Sequence, residues 1–164
     1  TNKGTMAATD GDATVRSGAA IDNQGTLYAR ADLDLADLAG GATVAVGNSG
    51  RLLANEQMRL AASTLSNAQG ALIQAATGST VAAGSVSNAG TWTLATQAGS
   101  TSLLHAGSVL DNSPTGPIQS AARMVSRSCS TIRMVFPRSR RLRREAMSRC
   151  VSRWWSPIEG SSRT

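Results

Sequence analysis

The sequence predicts an all-β fold: a parallel β-helix, or solenoid, of about five coils over residues 1–112, followed by a basic and mostly irregular tail over 113–164. Three observations predict it. A degenerate unit of about 20 residues recurs along the first two-thirds of the chain. Each copy carries an Asn followed within a few residues by Gly. The runs after the glycines alternate apolar and small polar residues. A period of 20–50 residues is the signature of a solenoid, in which no single repeat can bury its own apolar face.

The repeat reads as Ile21-Asp22-Asn23-Gln24-Gly25-Thr26-Leu27, then Val46-Gly47-Asn48-Ser49-Gly50-Arg51-Leu52. It returns with one extra residue as Leu65-Ser66-Asn67-Ala68-Gln69-Gly70-Ala71-Leu72, and again as Val86-Ser87-Asn88-Ala89-Gly90-Thr91-Trp92. A fifth copy starts at Leu110-Asp111-Asn112-Ser113 and meets Pro114 instead of continuing. The asparagines at 23, 48, 67, 88 and 112 are separated by 25, 19, 21 and 24 residues. Weaker half-repeats lie between them: Gly78-Ser79-Thr80-Val81 and Gly99-Ser100-Thr101-Ser102-Leu103 are spaced by 21, and Gly40-Gly41-Ala42-Thr43-Val44 resembles both.

Each part of the unit has an expected role. Asn and Gly tolerate positive φ, so the Asn–Gly segment is expected to be a turn. Alternation such as Thr26-Leu27-Tyr28-Ala29 and Thr91-Trp92-Thr93-Leu94 has period two, which is a strand with one face inward. Stacked coils then repeat every ~4.8 Å, the ordinary interstrand distance. Leu27, Leu52, Leu72 and Trp92 are expected to form one inward ladder, and Ile21, Val46, Leu65, Val86 and Leu110 another. Ala31 to Ala39 fits a short helix or a strand, with Leu33 and Leu35 on one face in the second case.

Composition agrees with a thin interior. Aromatics make up 3% of the chain, with one Tyr and one Phe, so large core residues are scarce. The net charge of +6 divides sharply: residues 1–112 carry −3 and residues 113–164 carry +9. All four Pro and both Cys fall in the second part, and fourteen of sixteen Gly in the first. The chain opens mid-pattern at Thr1-Asn2-Lys3-Gly4-Thr5 and reads as a piece of something longer. Its start lacks the basic and apolar regions of a signal peptide, and no apolar run approaches the ~20 residues of a membrane span.

The copies Ile-Asp-Asn-Gln-Gly-Thr-Leu, Leu-Ser-Asn-Ala-Gln-Gly-Ala-Leu-Ile and Val-Ser-Asn-Ala-Gly-Thr-Trp resemble the repeats of filamentous haemagglutinin-type exoproteins. These are the secreted partners of bacterial two-partner secretion, and contact-dependent growth inhibition proteins belong with them. The resemblance covers residues 15 to 112 or so. It implies a right-handed β-helical shaft, exported through an outer-membrane transporter and held at the bacterial surface. The partners it implies are a host or neighbouring-cell surface and that transporter.

Three readings compete for the tail. Arg138, Arg140, Arg141, Arg143 and Arg144, with Trp154 and Trp155, suit phosphate neutralisation and base stacking. Leu142, Ala146, Met147, Cys150, Val151, Trp154 and Trp155 fall at helical spacing, so a short amphipathic helix over 138–155 suits an anionic membrane. The third reading is an out-of-frame or disordered segment, since a tail of Arg, Ser, Pro, Cys and Trp joined in mid-repeat is what a shifted frame of a GC-rich gene encodes.

Catalytic constellations are not expected. His105 is read as an outward rung residue, and Cys129 and Cys150 have no zinc-ligand spacing. Asp32, Asp34 and Asp37 form the one carboxylate cluster, expected to lack charged companions on neighbouring coils. The expectation is therefore a non-enzymatic fragment of a secreted, cell-surface adhesin, truncated or frameshifted. It has no catalytic, cofactor-binding or metal residues, no cofactor and no small-molecule substrate. The alternative is a nucleic-acid- or membrane-binding protein acting through its basic tail.

Overall fold

The structure, a computed structural model, describes residues 1–113, 116–120, 123–128 and 132–134, the last two segments by their backbone. It is all-β and parallel throughout, with no helix among the described residues. The first coil contains β1 (Thr5–Ala8), β2 (Ala13–Ser17) and β3 (Ile21–Asn23). The second contains β4 (Thr26–Ala29), β5 (Leu33–Asp37) and β6 (Ala45–Asn48). In the third, β7 (Arg51–Ala54) is followed by the long β8 (Gln57–Asn67), and in the fourth β9 (Leu72–Ala75) by β10 (Gly78–Asn88). The fifth has β11 (Thr91–Thr93) and β12 (Thr101–Asn112). The described backbone of a sixth follows as β13 (Ile118–Gln119), β14 (Arg123–Ser128) and β15 (Ile132–Met134).

Two sheets run along the stack. One orders β1-β4-β7-β9-β11-β13, and the other orders β2-β5-β8-β10-β12-β14. β3 pairs β6, and β6 pairs the second half of β8, so each long strand does the work of two shorter ones. The segment Ala31–Ala39 resolves as a strand. Leu33 and Leu35 are fully buried and pair with Met58 and Leu60 of the next coil.

The core is a set of columns. Ile21, Val46, Leu65, Val86 and Leu110 pair in register as the repeat predicts, and all are buried. The other ladder differs at one rung. Leu27 pairs Leu52, but Leu52 pairs Ile73, which pairs Trp92. Leu72 instead aligns with Arg51 and Thr91 and is half-buried. The extra residue of the third copy is taken up before the strand, where Gly70 adopts φ 80. A one-residue slip at period two exchanges the two faces.

The half-repeats also pair differently from their sequence spacing. Thr80 aligns with Leu103 and Val81 with Leu104, a step of 23 rather than 21. Gly99, with φ 88, therefore lies in the turn before β12 and not on the strand. Gly40–Val44 occupies a separate corner, since Val44 accepts the Ser63 N–H at 2.8 Å.

The fifth asparagine turn is completed after all. Gly116 N–H donates to Ser113 O at 3.0 Å, and Trp92 N–H donates to Pro117 O at 3.0 Å. Ile118 thus enters the column of Trp92. Two prolines around Gly116 disguise this continuation in the sequence. β14 and β15 then pair β12 in parallel register.

Trp92 is fully buried, and its indole Nε1 is the one buried side-chain polar atom without a partner among the described residues. An unsatisfied buried donor costs about 1–3 kcal/mol. Trp92→Phe removes that donor while giving up some buried area, so its net effect on unfolding free energy should lie within about 1.5 kcal/mol. Denaturant titration checks this. A loss of the size usual for truncating a core aromatic, about 3–5 kcal/mol, would show that the N–H does no harm where it lies.

Candidate functional site

The feature that organises the molecule is a file of asparagine side chains inside it. Asn23, Asn48, Asn67, Asn88 and Asn112 end β3, β6, β8, β10 and β12 and are buried. Asn23 Nδ2 donates to Asn48 Oδ1, Asn48 to Asn67, Asn67 to Asn88, and Asn88 to Asn112, each at 2.8 Å. The amides of Asn23, Asn48, Asn67 and Asn88 also donate to backbone carbonyls. For Asn67 the acceptor is Thr91 O at 3.2 Å, and for Asn88 it is Gly116 O at 2.7 Å. Every link runs from the earlier coil to the later one.

The structure corrects the role expected of these residues. No asparagine has positive φ, and neither do Gly25, Gly50 and Gly90. The asparagines are chosen for an amide that both donates and accepts, which a continuous buried chain of hydrogen bonds requires. The glycines are chosen for close approach. A Cβ on Gly50 would collide with the carbonyl of Gly25, and one on Gly25 with the carbonyl of Gly4. Sequence reasoning also missed a rung: Asn2 Nδ2 donates to Asn23 Oδ1 at 2.8 Å. Its signal was present, since Asn2-Lys3-Gly4 has the spacing of the other copies.

Asp32 and Asp34 are structural staples at the surface. Asp34 does have charged companions. Arg16 of the first coil approaches it at 2.6 Å and Arg59 of the third at 3.2 Å, and Arg59 also donates to Gly40 O at 3.0 Å. Arg16, Asp34 and Arg59 are partly exposed, so each bridge is worth under about 1 kcal/mol. Asp32 accepts the Gln57 N–H at 2.9 Å, and Asp12 accepts the Asp32 N–H at 3.0 Å, which ties three coils at one corner.

Asp37 folds the excursion that makes the second coil long. Its carboxylate accepts the Thr43 hydroxyl at 2.6 Å, the Gly41 N–H at 2.7 Å, the Ala39 N–H at 2.9 Å and the Thr43 N–H at 3.1 Å. The Thr43 hydroxyl, then the Gly41 N–H, hold its carboxyl down at about 2, against the opposing effect of burial. A carboxyl lowered in the folded state contributes stability that is complete above its unfolded pKa of about 4. That contribution is lost as pH falls from about 4 through about 2. Amide exchange in the 38–43 loop should therefore accelerate across that window, and Asp37→Asn should abolish the acid-dependent step. An unchanged acid profile in Asp37→Asn would show that the loop is held by something else.

His105 lies exposed on the outward side of β12, aligned with Ala82, as the alternation predicts. No group of three or more His, Cys, Asp or Glu among the described residues is arranged to hold a metal ion. Cys129 and Cys150, the Arg138–Arg144 cluster, Trp154, Trp155 and the helix expected over 138–155 lie outside the described residues. No family model, curated protein or solved structure matches the chain.

Proposed function

We propose that this chain is a structural segment of a secreted, cell-surface adhesin-like exoprotein, a shaft rather than an enzyme, and an interrupted remnant of the parent protein. The observation that carries the reading is the unbroken asparagine file from Asn2 to Asn112. Its polar groups are spent on joining one coil to the next, which serves length and stiffness. At ~4.8 Å per coil, five coils span only ~25 Å, so the segment holds a surface or terminal module away from the cell only as part of a longer array. The parent's partners on this reading are a host or neighbouring-cell surface and an outer-membrane transporter.

The test is the gene and its flanks. Translated flanking DNA is expected to carry further Asn-register repeats upstream. A one-base shift beyond codon 134, where Met134 still pairs in register, is expected to restore them downstream. Flanks without such repeats in any frame would overturn the reading. The charge of +9 over residues 113–164 favours a second reading, binding of nucleic acid or anionic membrane by the tail. Saturable binding of the full chain to DNA or anionic vesicles, abolished by deleting residues 138–155, would support it instead.

A further inference from the structure

Asn2 and Gly4 carry the two stacking features of the repeat at a face where no described residue requires them. Asn2 is the first rung of the file and donates to Asn23 Oδ1 and to Thr26 O. Among the described residues its own Oδ1 accepts only the local Gly4 N–H, at 3.2 Å. At each later rung that oxygen accepts the Nδ2 of the preceding asparagine. An amide oxygen has two lone pairs, so Asn2 retains an acceptor aimed at the place of an earlier rung.

Gly4 follows Asn2 by two residues, as Gly25 follows Asn23 and Gly50 follows Asn48. Gly25 and Gly50 are obligatory because a carbonyl of the preceding coil lies against them. A Cβ on Gly4 meets nothing within 4 Å, and its φ is not positive. Neither space nor backbone demands glycine at that position in the chain as it stands. The outer edges of β1 and β2 have no strand partner among the described residues. Met6, which heads the column of Leu27 and Leu52, is 54% exposed. Neither strand carries the Pro or Lys that commonly shields an edge.

We infer that the amino-terminal face of the first coil is a docking surface for one further parallel coil of the same repeat. That coil lays a carbonyl over Gly4 and delivers an asparagine Nδ2 to Asn2 Oδ1. The inference extends the shaft reading but stands on Asn2 and Gly4. The occupant is defined by continuity: parallel pairing and an asparagine link recur between every successive pair of these coils, and a carbonyl lies against Gly25, Gly50 and Gly90. The file also fixes its direction. A coil arriving reversed would set acceptor against acceptor.

The test extends the full chain at its amino terminus with a copy of residues 67–86. This places the copied Asn67 21 residues before Asn2, the spacing at which Asn67 meets Asn88. The β1 and β2 amides should become about tenfold or more slower to exchange, and the thermal midpoint should rise. Gly4→Ala should leave the midpoint of the unextended chain unchanged or slightly higher, and should erase the gain in the extended one. Edge amides that exchange as before, or a Gly4→Ala effect of equal size in both chains, would overturn the inference. Either result leaves the genomic test of the shaft reading intact, so the two fail separately.

Discussion

Asn67→Asp should destabilise the fold by about 4–7 kcal/mol at neutral pH. Asn67 is 2% exposed and lies mid-file, donating to Asn88 Oδ1 and Thr91 O while accepting from Asn48. A carboxylate keeps the shape and the acceptor but loses both donors. It also faces the Oδ1 of Asn88 and the carbonyl of Thr91 as a negative group. An uncompensated buried charge costs about 3–5 kcal/mol, and each stranded partner about 1–3 kcal/mol. The sign of the pH dependence follows. Burial without a cation raises the pKa of the new carboxyl in the folded state. The penalty is therefore full at high pH and shrinks as pH falls through that raised value toward the ordinary ~4. Asn67→Ala, which introduces no charge, should cost about 2–4 kcal/mol and show no such recovery. Equal losses for the two variants at pH 7, measured by denaturant titration, would mean that the file is wet rather than buried.

Gly50→Ala should cost more than about 4 kcal/mol, a size reserved for a few mechanisms. The new methyl would occupy the space of the Gly25 carbonyl and of the Gln24 backbone. No flexible side chain is there to yield, so the second and third coils must separate locally, with loss of β4–β7 pairing. Gly47→Ala supplies the control three residues away. Its Cβ would lie 3.6 Å from Ser66 Oγ and 3.7 Å from an Asp22 oxygen, which is ordinary contact, and its φ is not positive. That variant should stay within about 1 kcal/mol of the parent. Comparable losses at both positions would show that glycine is needed for chain flexibility and not for approach.

The fold class, one column in full and all but one rung of a second were legible because period-two alternation and the recurring asparagine are both local signals. Residues 21, 46, 65, 86 and 110 fall into register directly from their distance to the next Asn. Leu72 was misplaced because sequence cannot say on which side of the strand an extra residue is absorbed. The asparagines were found but given the wrong reason. An Asn–Gly pair in a linear sequence looks like a turn, and only stacking reveals that the amides meet one another. The companions of Asp34 were hidden because Arg16 and Arg59 are 18 and 25 residues away in a repeat of irregular length. Gly116 was hidden by its proline neighbours, which signal the end of a strand, although the next strand begins directly after Pro117.

The alignment of the asparagine file with the backbone ladders has a mechanical consequence. All of these bonds join one coil to the next, so tension along the rod is carried by coil-to-coil joints linked in series. Within one joint, the backbone ladders and the single amide link share the load. Such a rod does not yield uniformly. It parts at its most thinly bonded joint, and the others keep their shape. In the described stack the thinnest pairing in the first sheet is β11 with β13, two residues long, against four for β4 with β7. Over both sheets, the joint between the second and third coils pairs no more residues than that between the fifth and sixth, so the coils around Asn48 are as ready to part as those beside Trp92.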